Sequence, residues 1–485
     1  MAAPFSLANI QGDILYVGLP KQTQLFFFFE ILDVNSFRSQ LSKLVPMITT
    51  AEQAQNNRSD IRKFKVQERK QATQGDGETP HPGTLRVGGV NIAFSAKGIN
   101  KLGITDANKI NDPLFQAGML KEAQDLGDRA NPDKPGFEPE WDTEFLQEIH
   151  GVILITGDSH ATLNSQLEDV KCILMKDNNH TIKEISKLVG DVRPGNQRGH
   201  EHFGYKDGIS QPAVEGVDVD PLPGQTTVKQ GVVLLRRDGD EDNGQPIARP
   251  EWALDGSFLA FRKLPQKVPE FDTFLRENAP TVPDPTANVV DLLGARLVGR
   301  WKSGAPIVEA QLRDDPGLAD DPQRNNLFEF TRGKQQICPF AAHIRKMNPR
   351  GDLDKPENSV NPHLIPRRGI PFGGEVTDEE RNTGVTLHER GLYFVCYQSN
   401  LSKGFSFLQR LWANNAKFPS PSPELPGLDA IIGQTTGGGT RTITGVISED
   451  TNQPFDLTAE WVISKGGEYF FSPSLPALSS TFAMV

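Results

Sequence analysis

Cysteine is scarce: the 485 residues include three, Cys172, Cys338 and Cys396. An odd number, each in strand-like or helix-like apolar surroundings, reads as buried thiols and excludes a disulfide framework. Also missing is any uninterrupted apolar stretch near the roughly 20 residues that span a bilayer. The N-terminus shows no basic segment followed by an apolar one, the pattern of a secretory leader. Membrane insertion is therefore not expected. No Lys/Arg run forms a phosphate-tracking patch, and 51 basic against 62 acidic residues give a net charge of −11, so nucleic acid is not an expected partner. Heptads and low-complexity tracts are absent as well.

What the chain does contain describes a globular protein with much loop: 36% hydrophobic residues, 45 Gly and 36 Pro. Its length exceeds one ordinary core and predicts two domains or one large fused unit. Three Asn-x-Ser/Thr sites, at Asn57, Asn179 and Asn400, carry little weight, because about two arise by chance in so Asn-rich a chain.

The strongest strand signals are Leu25 to Ile31, Val90 to Ala96, Gly151 to Thr156, Ser257 to Arg262, Gly391 to Gln398 and Glu468 to Ser472. The run Phe26 to Phe29 invites a ligand-pocket reading, but a continuous apolar run fits a strand buried on both faces better. Amphipathic helices alternate with the strands. Phe37, Leu41, Leu44 and Val45 share a face behind an expected Asn35 cap, and Leu163, Leu167, Val170 and Leu174 repeat the pattern. Long Pro/Gly/Asp/Asn-rich connections at 70–84, 106–140, 216–250, 310–335, 350–385 and 414–427 are where function is expected. The connection at 216–250 separates two similar series of strands and helices, which fits an α+β duplication of ferredoxin-like units.

Three segments carry chemistry. In Gly199 to Pro212, GHEHFGYKDGISQP, Asp207 stands between Gly204 and Gly208, which remove side-chain bulk beside a flat ligand; an ordinary Asp-Gly turn explains the same residues. In Cys338 to Lys346, small apolar residues precede His343 and leave room for a macrocycle. That imidazole could ligate iron, with a carboxylate on its other nitrogen, or be an ordinary hydrogen-bonded histidine. In Ile365 to Gly373, a Pro/Gly frame stiffens Arg367 and Arg368, which suits stabilisation of charge developing on a peroxide oxygen; a surface salt bridge is the alternative, for Arg368 above all.

Together these segments resemble the dye-decolourising peroxidase family, most closely its longer fungal members. The resemblance runs from Asn9-Ile10-Gln11-Gly12-Asp13 to GGEYFFSP at 466–473, through LGARLVGRWKS at 293–303 and GLDAIIGQ at 427–434. It implies an α+β fold of two ferredoxin-like halves of the dimeric α+β barrel type. Residues 1–225 would contribute the distal Asp segment, and residues 226–485 would bind haem b (iron protoporphyrin IX). It further implies Asp207 as distal acid–base residue, Arg367 as distal arginine and His343 as proximal iron ligand. Asp429 would accept from that histidine, its alternative being a helix cap. Leu392 and Phe394 would line the distal pocket, or simply pack the core. Arg345 is assigned to cofactor binding.

The implied activity reduces hydrogen peroxide and oxidises dyes, phenols and other bulky aromatic donors in one-electron steps through a ferryl intermediate. Because an unperturbed aspartate titrates near 3.9, dye oxidation is expected to peak below about pH 5. Trp412 matches a surface radical tryptophan of some fungal relatives, although Phe405, Leu408 and Trp412 share a helical face and a packed core indole fits equally. Phe372 stands where relatives can carry an oxidisable tyrosine. Asp352, Asp354 and Glu357 read as solvated loop charges rather than a manganese site, and no metal beyond haem iron is assigned. A monomer or homodimer and an extracellular location follow by resemblance only. The rival reading is a haem-binding or haem-handling α+β protein without peroxidase turnover.

Overall fold

The computed structural model describes residues 4–15, 18–72, 86–175, 180–280, 286–420 and 425–483; Asn179 and most of 70–84 lie outside them. The run LFFFFEI forms β1, Thr23–Ile31, with Phe26 to Phe29 all buried at 1% exposure or less. Phe26 and Phe28 meet Phe261 edge-on at 4.9 and 5.1 Å, while Phe29 packs on Phe37 at 5.7 Å. Each such pair adds about 0.5–1.5 kcal/mol beyond burial of its area. The four rings are core on both faces of the strand.

Helix α1, Val34–Leu44, buries Phe37, Leu41 and Leu44, as its spacing predicts. Its cap is Asp33, whose carboxylate accepts from Ser36 N at 2.9 Å; Asn35 lies two residues further on, inside the first turn, and half-buried Val45 falls beyond the helix. After α2, Ala51–Ala72, come β2, Gly88–Phe94, and β3, Gly151–Gly157. Helix α3, His160–Leu174, buries Leu163, Leu167, Val170 and Leu174. Cys172 sits off that stripe and is exposed, contrary to the buried thiol expected; Cys338 and Cys396 are buried. The first half ends with β4, Ile182–Asp191.

The second half begins with β5, Ser257–Pro265, followed by α4, Val268–Glu277, and α5, Val289–Val298. A short helix α6, His343–Met347, precedes β6, Ile370–Phe372, β7, Gly391–Gln398, and β8, Gly466–Ser472. The connections at 106–140 and 350–385 are less irregular than expected, since they hold Pro113–Ala117, Met119–Glu122, β6 and Asp378–Thr383.

All eight strands form one sheet in the order β6-β7-β5-β8-β2-β3-β1-β4. Numbered within its own half, each set of four runs fourth, first, third, second, and its neighbours pair antiparallel. That is the ferredoxin-like order, used twice. The halves join where β8 pairs with β2 at Phe471 and Phe94. The outer strands also meet: a Cβ on Gly190 of β4 would lie 2.6 Å from Ile370 Cγ2 of β6, so the sheet curls into a barrel.

Candidate active site

His343 opens α6, and Asp429 comes from the loop before Ile431. The ring Nδ1 and Asp429 Oδ2 are 3.0 Å apart. Asp429 is wholly buried, and its Oδ1 accepts from the backbone N–H groups of Ile431 and Ile432 at 2.8 and 2.9 Å. Both readings of Asp429 therefore hold at once: one oxygen caps a turn and the other fixes the imidazole. Burial disfavours both charged forms, yet each partner overcomes it for the other, holding His343 above its ordinary range and Asp429 below. With Nδ1 committed to an ionised acceptor, Nε2 is left for the cavity that the ring lines.

Asp207 lines the same cavity, between Gly204 and Gly208 in the left-handed region at φ 93° and 83°. Only glycine adopts such angles without strain, so the flanking glycines are required by the turn. Asp207 Oδ1 accepts from Arg367 Nη1 at 2.6 Å and from Gly208 N at 2.6 Å. Burial works to raise its pKa, but the Arg367 cation prevails and holds it low. Arg367 itself is clamped: Gln211 Oε1 accepts from its backbone N at 2.9 Å, and Gln211 Nε2 donates to its carbonyl at 3.2 Å. Arg368 points elsewhere. It is buried, and donates to the carbonyls of Asp13, Ile14 and Arg367 rather than to a surface carboxylate.

Leu392 and Phe394 alternate along β7 opposite Leu264 and Arg262 of β5, and all four line the cavity. Its empty space is about 1900 Å³, open solvent at the mouth included. Further apolar wall comes from Val298, Ile344, Leu408 and Ile431.

Arg345 and Asp352 depart from expectation, and of the two readings given for Trp412 the packed one holds. Arg345 is not on the cavity wall: it is 1% exposed, paired with Asp352 at 2.6 Å and held between the rings of Phe330 and Phe340. Asp352 is accordingly a buried partner rather than a solvated charge, while Asp354 pairs with Arg332. Trp412 is not at the surface either. It is 3% exposed, stacked on Phe418 at 4.8 Å and edge-on to His363 at 5.4 Å. His363, its edge-on neighbour, lines the cavity wall and stacks on Phe407 at 3.6 Å.

Sequence reasoning missed Arg300 and Arg350. Both line the cavity, and both donate to Asn326 Oδ1, at 3.0 and 2.7 Å. Burial lowers Arg300 to about 9, with Arg350 adding to the effect, and Arg350 to about 10. No carboxylate pairs with either among the described residues, so this end of the cavity is electropositive. A site with an orientated imidazole, apolar walls and two such guanidinia fits a flat metallated macrocycle bearing carboxylates.

The chain matches the model of the DyP dimeric alpha+beta barrel domain over residues 9–194 and that of the Dyp-type peroxidase C-terminal domain over 295–418. A dye-decolorizing peroxidase of Mycetinis scorodonius is 42% identical over 100% of this chain and 89% of its own length. The solved structure of an ancestral D-type dye decolorizing peroxidase is similar at TM-score 0.89 and 48% identity, covering 99% of this chain and 100% of that one. A dye-decolorizing peroxidase solved in complex with 2,6-dimethoxyphenol reaches TM-score 0.84 and 41% identity, with 99% and 100% covered. Full-length similarity at this level, on a barrel of two ferredoxin-like halves, leaves one conclusion: the chain belongs to the DyP-type peroxidase family and is a dye-decolourising peroxidase.

Proposed function

We propose that the chain uses haem b to reduce hydrogen peroxide and to oxidise dyes, phenols and other bulky aromatic donors one electron at a time. When bound, haem supplies an iron that takes a peroxide oxygen and stores oxidising equivalents. His343 would hold that iron through Nε2, with Asp429 on Nδ1 fixing the tautomer and strengthening donation. Arg300 and Arg350 would hold the carboxylates of the macrocycle.

Asp207 takes the proton from one peroxide oxygen and returns it to the other, which leaves as water. Its Oδ2 serves this task because the bonds to Arg367 and Gly208 occupy Oδ1. Arg367 keeps Asp207 ionised and stabilises the charge that develops as the oxygens separate. Leu392 and Phe394 restrict the cavity, so bulky donors deliver electrons through protein aromatics, with Trp412 and His363 as the route. In this reading the halves divide at 225/226, and haem belongs to the second. Extracellular action on lignin-like phenols, as in fungal members, completes it.

The observation that carries the reading is one cavity walled by both a carboxylate–guanidinium pair, Asp207–Arg367, and a carboxylate-orientated imidazole, His343–Asp429. Purified protein should show a Soret band that shifts on one equivalent of peroxide, and Asp207→Asn should slow that shift. Absence of the band, or a band indifferent to peroxide, would overturn the assignment.

A further inference from the structure

The turn that presents Asp207 is organised by a side chain with no role in the scheme above. Glu201 lies on the cavity wall, six positions before Asp207. Its Oε1 accepts from Tyr205 N at 2.9 Å, and its Oε2 accepts from Phe203 N at 2.8 Å and from Gln266 Nε2 at 2.5 Å. Its backbone N donates to Tyr205 O at 3.1 Å, and its carbonyl accepts from Gly204 N and from Arg193 Nη1. Thus one residue closes the loop upon itself through its main chain, and ties the loop to the residue after β5 through its carboxylate.

Three N–H donors converge on two oxygens. An amide cannot satisfy all three, since its nitrogen presents donors where one of the N–H groups already points. With both oxygens already accepting N–H bonds, Glu201 is a poorer base for substrate than Asp207, whose two bonds both fall on Oδ1. Burial raises the Glu201 carboxyl above its ordinary value and Asp207 on the same loop adds to the rise, while the three N–H donors oppose it; Arg193 is engaged with Glu375 at 2.5 Å. Asn, Ser or Gly could cap a turn of this kind locally, but none would reach Gln266 as well.

We propose that Glu201 is a positioning residue for peroxide cleavage: its two side-chain oxygens gather the Phe203–Tyr205 turn and Gln266, and so set where Asp207 stands relative to Arg367. The proposal rests on the acid–base role of Asp207. The test compares wild type, Glu201→Gln, Asp207→Asn and the double variant as full-length protein. Amide hydrogen exchange is read over 199–208, and the rate of the peroxide-induced Soret change is read beside KM for 2,6-dimethoxyphenol.

Glu201→Gln should speed exchange at 199–208 while β5 and α6 keep their protection. It should also slow the peroxide reaction at least tenfold with donor KM unchanged. In the Asp207→Asn background the same substitution should add almost nothing, because a residue acting through Asp207 loses its lever when that carboxylate is gone. A full-size effect in that background, or unaltered exchange and rate in the single variant, overturns the proposal. Should Glu201→Gln fail to fold, Gln266→Leu removes one donor of three and should act in the same direction but less; wild-type rate and exchange there would equally overturn it. If Asp207→Asn itself reacts with peroxide at the wild-type rate, the acid–base assignment falls, while the exchange data still report on the clasp.

Discussion

At the scale of single residues, the site consists of two hydrogen-bonded pairs, His343–Asp429 and Asp207–Arg367. Asp207→Asn removes a general acid–base and should lower kcat/KM for peroxide by about 10²–10⁴-fold, measured by stopped-flow absorbance. The pH dependence is carried by Arg367. It holds Asp207 low, so the ionised form persists into acid and is lost as pH falls through that depressed value. In Arg367→Leu, only the Gly208 N–H and the His343 imidazole still oppose burial at Asp207, so its pKa should rise and the acid limb of the peroxide reaction should move to higher pH. Asp429→Asn takes the acceptor from His343 Nδ1 and should weaken cofactor retention or activity by about 10–100-fold, followed by haem loss to an apoprotein acceptor. Local patterns marked Asp207, His343 and Arg367 as candidates, each beside an ordinary structural reading, and the family resemblance supplied their roles and pointed to Asp429. Glu201, Arg300 and Arg350 went unmarked. Their significance lies in partners far along the chain, such as Gln266 and Asn326.

At the scale of elements, six of the eight sheet strands stand out in the sequence, and the two that do not are the outermost, β4 and β6. The reason is burial. Central strands such as β1 are buried almost throughout around a continuous apolar run, whereas β4, IKEISKLVGD, alternates buried and exposed positions and carries charge. Arg345 illustrates the opposite error, a basic residue beside a motif read as part of the site. Its guanidinium instead neutralises buried Asp352. Arg345→Met should therefore destabilise the fold by about 3–5 kcal/mol through an uncompensated buried carboxylate, visible in denaturant unfolding. Trp412 is an element of core packing as well as a proposed relay, and Trp412→Ala would confound the two at a cost of about 3–5 kcal/mol. Trp412→Phe separates them: dye turnover should fall while turnover of small phenols is kept, and equal loss on both would remove it from the route.

At the scale of the whole molecule, the halves are not independent. Gln11 donates from Nε2 to both Ile92 O of the first half and Pro473 O of the second, at 2.8 Å each. Tyr397 OH donates to Asp13 at 3.1 Å, and Phe94 packs on Phe482 at 5.0 Å. With the sheet continuous across the join, calorimetry should record one unfolding transition; two resolved transitions would show that the halves melt separately.

Sequence alone determined the barrel's repeated pattern, the central strands and the residue types available for chemistry, since each depends on neighbours within a few positions. Tertiary structure decided which of those residues share a cavity, which charges are buried in pairs, and that Trp412 is enclosed. Those outcomes follow from closing a sheet on itself, which brings Asp207, His343, Arg367 and Asp429 together from positions spread over nearly half the chain, and no local pattern encodes that closure.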